Sequence, residues 1–428
     1  MRPNHEPKPG QRLEIGVLYG FRALMALFVA NYHIWQQGWL PQYVTLFGRQ
    51  VDFDFFTRSG YLFVDGLILL SGFLLYLPYA RQRLEGTPVA GTGRFYFNRL
   101  IRIVPSYLFS VAIALLCFAL PQRAFATPDA MRRDVLAHLT FTFPFWRETY
   151  LFTPLNGVLW TVAIEMQFYL IFPLLARAAQ KKPLSTFALM AAAGLAYRAC
   201  VARYAPDTAM LINQLPAFLD VYALGMIGAV AFCHIRRLFA EADARQRTLV
   251  RISAAFAFVG GVCAVLLLLR IQSQASLSGF EELRLSQMRV RLPLAAAFLG
   301  CMLGAAYLPE LARRLLNNRL MRFLSAISFN LYIWHQILAV QMRGAWFPDT
   351  LHSEPGLQRA YTALCFCASI VAAMLVTFGL EQPVTRLANK GIEKLERKKK
   401  HERSALGKAE PPTDTLLVRV EEGRKGAD

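Results

Sequence analysis

Charged residues, and acidic ones above all, are scarce in this chain. Charged side chains make up 18% of it, with 28 Asp and Glu against 47 Lys and Arg in 428 residues. Hydrophobic residues reach 55% and the mean hydropathy is +0.34, which together exclude an ordinary soluble protein. The net charge of +19 would suit nucleic acid, but the basic residues lie in loops between apolar runs and in the tail. Membrane proteins show that pattern, so we expect no nucleic-acid partner.

Cysteine pairs and cysteine clusters are also missing. None of the seven cysteines forms a C-x-x-C pair or a group with the spacing of metal ligands. All seven lie within or at the ends of apolar runs, where cysteine usually acts as a small core residue. We therefore predict neither a disulfide framework nor a metal site. The cysteines are Cys117, Cys200, Cys233, Cys263, Cys301, Cys365 and Cys367.

The N-terminus carries no sign of a cleavable signal. Residues 1–13 are polar, and no short apolar region with a cleavage site follows them, so the first apolar segment should be retained. We also find no internal repeat of the kind that marks secondary transporters. No second soluble domain is expected.

Ten apolar runs have about the 20 residues that cross a hydrocarbon core of ~30 Å as a helix. They predict an all-α, polytopic membrane protein with about ten transmembrane helices. The domain plan is an N-terminal segment 1–14, a transmembrane domain 15–385 and a basic, partly disordered tail 386–428 that binds anionic lipid. The predicted spans lie at about 15–36, 61–80, 103–121, 155–176, 184–203, 214–234, 250–270, 290–309, 323–342 and 360–381.

Lysine and arginine set the expected orientation. With the N-terminus in the cytoplasm, the cytoplasmic loops and the tail hold more basic residues than the opposite loops. An even number of spans then places both termini in the cytoplasm of a cell whose inner membrane holds the protein. The long external segments 37–60 and 122–154 contain several aromatic residues. They form either a lid or acceptor-binding surface, or segments that lie flat on the bilayer interface.

Five ionisable residues within the predicted spans stand out as candidates: Arg22, His33, Asp65, Glu165 and His335. A charged group at bilayer depth costs roughly 2.5–3.5 kcal/mol on insertion scales, and such residues usually have a function. Glu165 lies near the middle of the fourth span, where it either pairs with a cation or histidine or hydrogen-bonds in its neutral form. Asp65 begins the second span on the external side, and His335 lies past the middle of the ninth. The polar groups are thus expected to meet in the external half of the membrane.

Arg22 and His33 share one face of the first predicted helix. Their separation of eleven residues corresponds to three turns plus about 20°, and to ~16 Å along the axis. Ala26, Val29 and Ala30 lie near the same stripe and leave a slot that suits a thin ligand with a charged end and a reactive end. Each residue also has a simpler explanation. Arg22 could extend its side chain to the cytoplasmic surface (snorkelling), and His33 could be an interfacial histidine near the end of the helix.

The Arg22-x10-His33 pair resembles the R-x10-H signature of the membrane-bound acyltransferase family 3, whose members include O-antigen and exopolysaccharide O-acetylases. Four further segments resemble family motifs in the same order, and the similarity covers roughly residues 15–385. Those segments are VDGLILLSGFLL (64–75), FYFNRLIRIVPSYL (95–108), LWTVAIEMQFYLIFPLL (159–175) and ISFNLYIWHQIL (327–338).

Three positions depart from the family pattern, with Leu67 and Ile68 in place of two phenylalanines and Thr161 in place of a serine. None of these changes removes an ionisable group. Many family members also carry a C-terminal extracytoplasmic hydrolase-like domain of the SGNH type. The chain is expected to lack it, and hence to act without a second acyl-transfer module.

The resemblance implies an O-acyltransferase that moves an acyl group, most often acetyl, from cytoplasmic acyl-CoA to a hydroxyl of a cell-surface or lipid-linked glycan. No cofactor is expected to be bound permanently, and the oligomeric state stays open. Arg99 and Arg102 would clamp CoA phosphates, unless they are ordinary cytoplasmic charges. Arg22 would hold the donor deeper in the membrane. Three further residues are expected to contact substrate: Ser71, Trp160 and His335.

His33 is the predicted general base, because the unperturbed pKa of imidazole lies near neutrality. Glu165 or Asp65 would orient its ring and stabilise the imidazolium, as the acid does in a catalytic triad. An acyl-histidine intermediate is the competing scheme. The alternative function is a transporter of a lipid-linked or acidic solute, which would use the same buried charges. Acyl transfer to a cytoplasmic lipid is disfavoured, since His33 lies nearer the external face.

Overall fold

The computed structural model describes residues 15–346 and 354–406. The predicted N-terminal segment 1–14 and the end of the tail beyond 406 therefore lie outside the described residues. Within the described ranges, ten helices are long and apolar enough to cross a membrane, which confirms the polytopic all-α prediction. The ten are α1 Val17–Trp35, α3 Phe63–Glu85, α4 Thr92–Ile113, α7 Trp160–Lys181, α8 Pro183–Tyr204, α9 Leu219–Glu241, α10 Ala244–Ala275, α11 Phe280–Tyr307, α13 Arg319–Trp346 and α14 Pro355–Val376.

Several of these helices extend well beyond the apolar runs that predict them. Helix α4 begins at Thr92, although its apolar run begins near residue 103, so Arg99 and Arg102 lie inside the helix. Helix α10 begins with a capping box, in which the Asp243 carboxylate accepts a hydrogen bond from the backbone N–H of Gln246 at 2.8 Å. An apolar run marks only the part of a helix that hydrocarbon would surround, and its polar ends therefore escape a hydropathy criterion.

Short elements occupy the two segments that the sequence places outside the membrane. Strands β1 (Tyr43–Leu46) and β2 (Arg49–Asp52) form an antiparallel hairpin, which α2 (Asp54–Arg58) follows. The second segment contains α5 (Pro128–Leu139) and α6 (Arg147–Leu151). The hairpin is the one departure from an all-helical architecture that we find in the described part of the chain.

A buried polar cluster fixes α5 to the neighbouring elements. The Asp134 carboxylate lies 3.0 Å from Nδ1 of His138 and accepts from the Thr153 hydroxyl at 2.8 Å. The Tyr107 hydroxyl of α4 donates to the His138 carbonyl at 2.8 Å, and the His138 ring stacks on Phe143. These contacts join the second external segment to α4.

The helices that carry the candidate site pack in close pairs, α1 against α13 and α3 against α9. At the α3–α9 crossing, a Cβ added to Gly72 would lie 2.6 Å from the Tyr222 carbonyl oxygen, and one added to Gly225 would meet the backbone of α3. Only glycine permits backbones to approach this closely. The crossing places Ser71 of α3 against the bundle interior.

The compact transmembrane unit ends at Glu381, and a second unit begins at Gln382. Short π-helical turns occur at Ala114–Ala119 and Thr377–Glu381. The second unit contains the long helix α15 (Gln382–Leu406), and the small helix α12 (Glu310–Leu316) belongs to the first. The lipid-binding role expected of the tail stays a prediction.

Candidate active site

A cavity of about 200 Å³ lies among α1, α3, α4, α7 and α13. It brings together five residues that the sequence singled out on four different helices: Arg22, Ser71, Arg99, Arg102 and Glu165. The three residues that depart from the family pattern line it too, namely Leu67, Ile68 and Thr161.

Three guanidinium groups and one carboxylate give the cavity its charge. Arg22, Arg99 and Arg102 all line the wall with Glu165, and the charges of Arg99, Arg102 and Glu165 act on Arg22. The Arg99 guanidinium lies 5.7 Å from the ring centres of both Phe95 and Tyr169, so aromatic faces hold it in place. Three cations against a single carboxylate make the cavity a site for an anionic ligand.

Arg22 and His33 both lie on α1, which is uninterrupted between them, as predicted. Arg22 and the buried Ala26 line the cavity, whereas the cavity-lining residues of the described chain do not include His33. His33 lies two turns beyond Ala26, next to His335 of α13. The slot predicted between the two polar groups is therefore open at its Arg22 end, and other side chains cover it towards His33.

His33 and His335 form a hydrogen-bonded pair between α1 and α13. Nε2 of His335 lies 3.0 Å from Nδ1 of His33, and the ring centres are 5.0 Å apart. Each Nδ1 also lies 3.1 Å from the carbonyl oxygen one turn earlier in its own helix, Val29 for His33 and Leu331 for His335. His335 is fully buried and His33 is partly exposed, so the ring that a substrate can reach is that of His33.

Tyr332 connects this pair to the cavity. Its ring lies 5.6 Å from that of His335, and the residue also lines the cavity wall. Its hydroxyl interacts with Thr161 of α7. The histidine pair therefore lies behind the wall of the cavity that Tyr332 forms.

Asp65 lies in a buried ion-pair network and not beside His33. Its carboxylate is 3.3 Å from Nε of Arg291 on α11, and both side chains are almost fully buried. The guanidinium carbon of Arg291 also lies 3.9 Å from the centre of the Phe218 ring, and its Nη1 donates a hydrogen bond to the Ile212 carbonyl at 2.7 Å. A buried carboxylate needs a cation to balance its charge, and Arg291 supplies it. The orientation of His33 by Asp65, expected from the sequence, is therefore not what the structure shows.

A second buried pair completes the network, Arg198 of α8 with Asp220 of α9 at 2.7 and 2.5 Å. The predicted spans 184–203 and 290–309 contain Arg198 and Arg291, but the sequence analysis did not single out either residue. Both are buried within helices, and the Ala217 carbonyl accepts from each of them. A charged residue near the end of an apolar run can lie at the membrane surface or inside the bundle. The sequence alone does not distinguish the two.

The remaining predicted residue, Trp160, lies at the start of α7 and packs on Phe218, with ring centres 6.0 Å apart. Sequence reasoning missed Tyr169 and Tyr332, which line the cavity one turn after Glu165 and one turn before His335. Their spacing along the helix was the available signal. Tyr169 interacts with Ser71 across the cavity.

Glu381 is a further residue that the sequence analysis missed. It lies at the end of the last span and accepts from the Asn330 amide at 2.7 Å, while the same amide donates to Thr377 at 2.9 Å. The charges of Arg22 and Arg102 act on it. Glu381 therefore supports the basic side of the cavity from outside its wall.

The comparisons with known proteins identify the family. A family model described as an acyltransferase domain (Acyl_transf_3) matches residues 17–378. The chain is 30% identical over 169 residues to O-acetyltransferase OatA of Staphylococcus aureus strain NCTC 8325 / PS 47, covering 37% of this chain and 24% of that protein. It is 26% identical over 168 residues to the putative O-acetyltransferase SACOL0978 of strain COL, with the same shares.

The chain thus spans about a quarter of the length of these relatives. No solved structure matches it. The family match covers the cavity, the histidine pair and every span but the end of the last. The chain is a multi-pass membrane protein, and it belongs to the acyltransferase-domain family Acyl_transf_3.

Proposed function

We propose that this acyltransferase moves an acetyl group from acetyl-CoA to a hydroxyl of a cell-surface or lipid-linked glycan. One observation carries the proposal: three guanidinium groups gather at a cavity whose wall adjoins a hydrogen-bonded histidine pair. The relatives are named as an O-acetyltransferase and a putative O-acetyltransferase, and these names support oxygen as the accepting atom.

The cavity suits the slender arm of a CoA thioester. Its volume of about 200 Å³ is below the ~300–1,000 Å³ of pockets that enclose a whole drug-sized ligand. The pantetheine chain would enter it, and the nucleotide would stay outside. Arg99 and Arg102 would bind the phosphates, for which guanidinium groups are well suited. Arg22 would contact the donor further along α1.

His33 would act as the general base. Its ring would take the proton of the acceptor hydroxyl as that oxygen bonds to the thioester carbon. The carbon–sulfur bond then breaks, and the CoA thiolate recovers the proton from the imidazolium. Attack by His33 itself, through an acyl-histidine, is the competing scheme at the same residue. Ser71 and Trp160 keep their proposed roles in substrate contact.

Glu165 and Asp65 receive different roles in this proposal. Glu165 lines the cavity with Arg22, so we assign it to holding that guanidinium, and thereby the donor. Asp65 is paired with Arg291, so we assign it to the stability of the helix bundle. Neither carboxylate is assigned to the His33 ring.

The proposed direction of transfer follows the charges. The arginine-rich end of the cavity would face the cytoplasm, where acyl-CoA is made, and His33 would lie towards the other face. In a bacterial cell this would place the protein in the inner membrane with both termini in the cytoplasm. Membership of an acyltransferase family favours this enzyme over the transporter that the buried charges alone would permit.

The test is a transfer assay on the purified protein in lipid nanodiscs. Acetyl-CoA labelled in the acetyl group is supplied with a lipid-linked glycan fraction, and both free thiol and labelled glycan are measured. We expect the two to appear together in equal amounts. Thiol release without any labelled hydroxyl product, or no thiol release at all, would contradict the proposal.

A further inference from the structure

The contacts of His335 determine its tautomer. A carbonyl oxygen only accepts hydrogen bonds, so Nδ1 of His335, 3.1 Å from the Leu331 carbonyl oxygen, must carry the proton. In a neutral imidazole the other nitrogen is then an acceptor. Nε2 of His335 therefore presents a lone pair to whatever lies opposite.

The atom that lies opposite is Nδ1 of His33, at 3.0 Å. A lone pair facing a lone pair would repel, so Nδ1 of His33 must donate. The Val29 carbonyl, 3.1 Å from the same nitrogen, requires the same arrangement because it too can only accept. A single N–H on Nδ1 of His33 is thus shared between two acceptors, of which Nε2 of His335 is the nearer. Nε2 of His33 keeps its lone pair, and it has no hydrogen-bond partner among the described residues.

We propose that His335 is a positioning residue: it accepts the Nδ1 proton of His33 and so holds Nε2 of His33 as the basic nitrogen. The inference rests on the proposed function, in which His33 is the base, and changes the role expected of His335 from substrate contact to orientation. His335 is fully buried on α13, so it does not touch the acceptor.

The pairing also acts during the reaction. When Nε2 of His33 takes the proton of the acceptor hydroxyl, the ring becomes an imidazolium, and its Nδ1 proton stays hydrogen-bonded to His335. This is the role that a carboxylate has in a catalytic triad. A neutral imidazole can perform it inside the membrane without the cost of a buried charge.

A set of substitutions at His335 separates orientation from packing. The Oε1 atom of glutamine reaches about the position of Nε2 in histidine, whereas asparagine reaches only that of Nδ1. We expect His335→Gln to retain most of the activity. His335→Asn and His335→Leu should lower kcat by about 10- to 100-fold with an unchanged KM for the donor. The exposed His234 of α9 supplies the matched control, His234→Asn, which should behave as wild type.

The tautomer itself can be measured. Solid-state NMR of protein with ¹⁵N-labelled histidine separates protonated from unprotonated ring nitrogens, and the His33 signals are assigned by their loss in His33→Gln. Wild type should show an unprotonated Nε2 on His33. In His335→Leu the signals should move towards the Nε2-protonated form that free imidazole side chains prefer.

Equal kcat values for the asparagine, leucine and wild-type proteins would overturn the inference, as would an unchanged tautomer in His335→Leu. The tautomer is read without any donor, so it tests His335 even in a preparation that shows no transfer. Loss of transfer in the wild type would instead overturn the proposed function. Thermal unfolding and gel filtration in detergent establish that each variant is folded.

Discussion

Arg291 of α11 and Asp65 of α3 form an ion pair in the interior of the bundle, with 3.3 Å between Nε and the Oδ1 oxygen. The family motif that contains Asp65 suggested a catalytic carboxylate. Its pairing with Arg291 indicates a structural carboxylate, which joins α3 and α11. We therefore assign Asp65 to stability, and Ser71 of the same helix to substrate contact.

Breaking this pair should unfold the protein rather than slow its chemistry. Removal of one member of a buried pair leaves an uncompensated charge and costs about 3–5 kcal/mol. We therefore expect Arg291→Met to lower the Tm in detergent strongly, and Asp65→Leu with Arg291→Met to recover most of the loss. Asp129→Asn, in an exposed ion pair, is the control. A folded Asp65→Asn variant with a normal Tm and a kcat lowered about 100-fold would contradict this assignment and indicate a catalytic role for Asp65.

Arg99 and Arg102 should determine donor affinity. Hydrogen bonds to charged groups contribute about 1.5–3 kcal/mol each, which corresponds to a 10- to 100-fold change in binding. Arg102→Gln should raise the KM for acetyl-CoA by about that factor and leave kcat within a few fold. The exposed Arg245, near the start of α10, provides the control Arg245→Gln. A kcat effect without a KM effect would argue against phosphate binding.

Glu165 and Arg22 should act as one unit. Both line the cavity, and the charge of Glu165 acts on Arg22. A double-mutant cycle with Glu165→Gln and Arg22→Met should give a coupling above about 0.5 kcal/mol in kcat/KM for the donor, as contacting residues do. Additive effects of the two substitutions would show that Glu165 acts elsewhere in the reaction.

The α3–α9 crossing makes a prediction about stability alone. Gly72→Ala should lower the Tm, because the new Cβ would lie 2.6 Å from the Tyr222 carbonyl oxygen. Gly260→Ala in α10 is the matched control, since its Cβ would meet nothing within 4 Å. That change should raise helix stability by about 0.5–1 kcal/mol. An unchanged Tm for Gly72→Ala would mean that the two helices can separate at no cost.

The sequence predicts the number of spans and much of the cavity, because both depend on local patterns. Apolar length marks the helices, and the family motifs contain the arginines and Glu165. Pairings across the bundle are different. Nothing local to Asp65 indicates Arg291, which lies more than 200 residues further along the chain. The contact between His33 and His335 likewise depends on how α1 packs on α13, a relationship that no single-helix pattern contains.

The central claim is that His33, which lies behind the wall of the donor cavity, is the base. The most direct measurement is single-turnover acetyl transfer by purified His33→Gln, with His234→Gln as the matched control. General-base catalysis contributes about 10²–10⁴-fold, and we predict a loss of that size in the transfer rate with unchanged acetyl-CoA binding and Tm. A folded His33→Gln variant that transfers acetyl at the wild-type rate would contradict the claim.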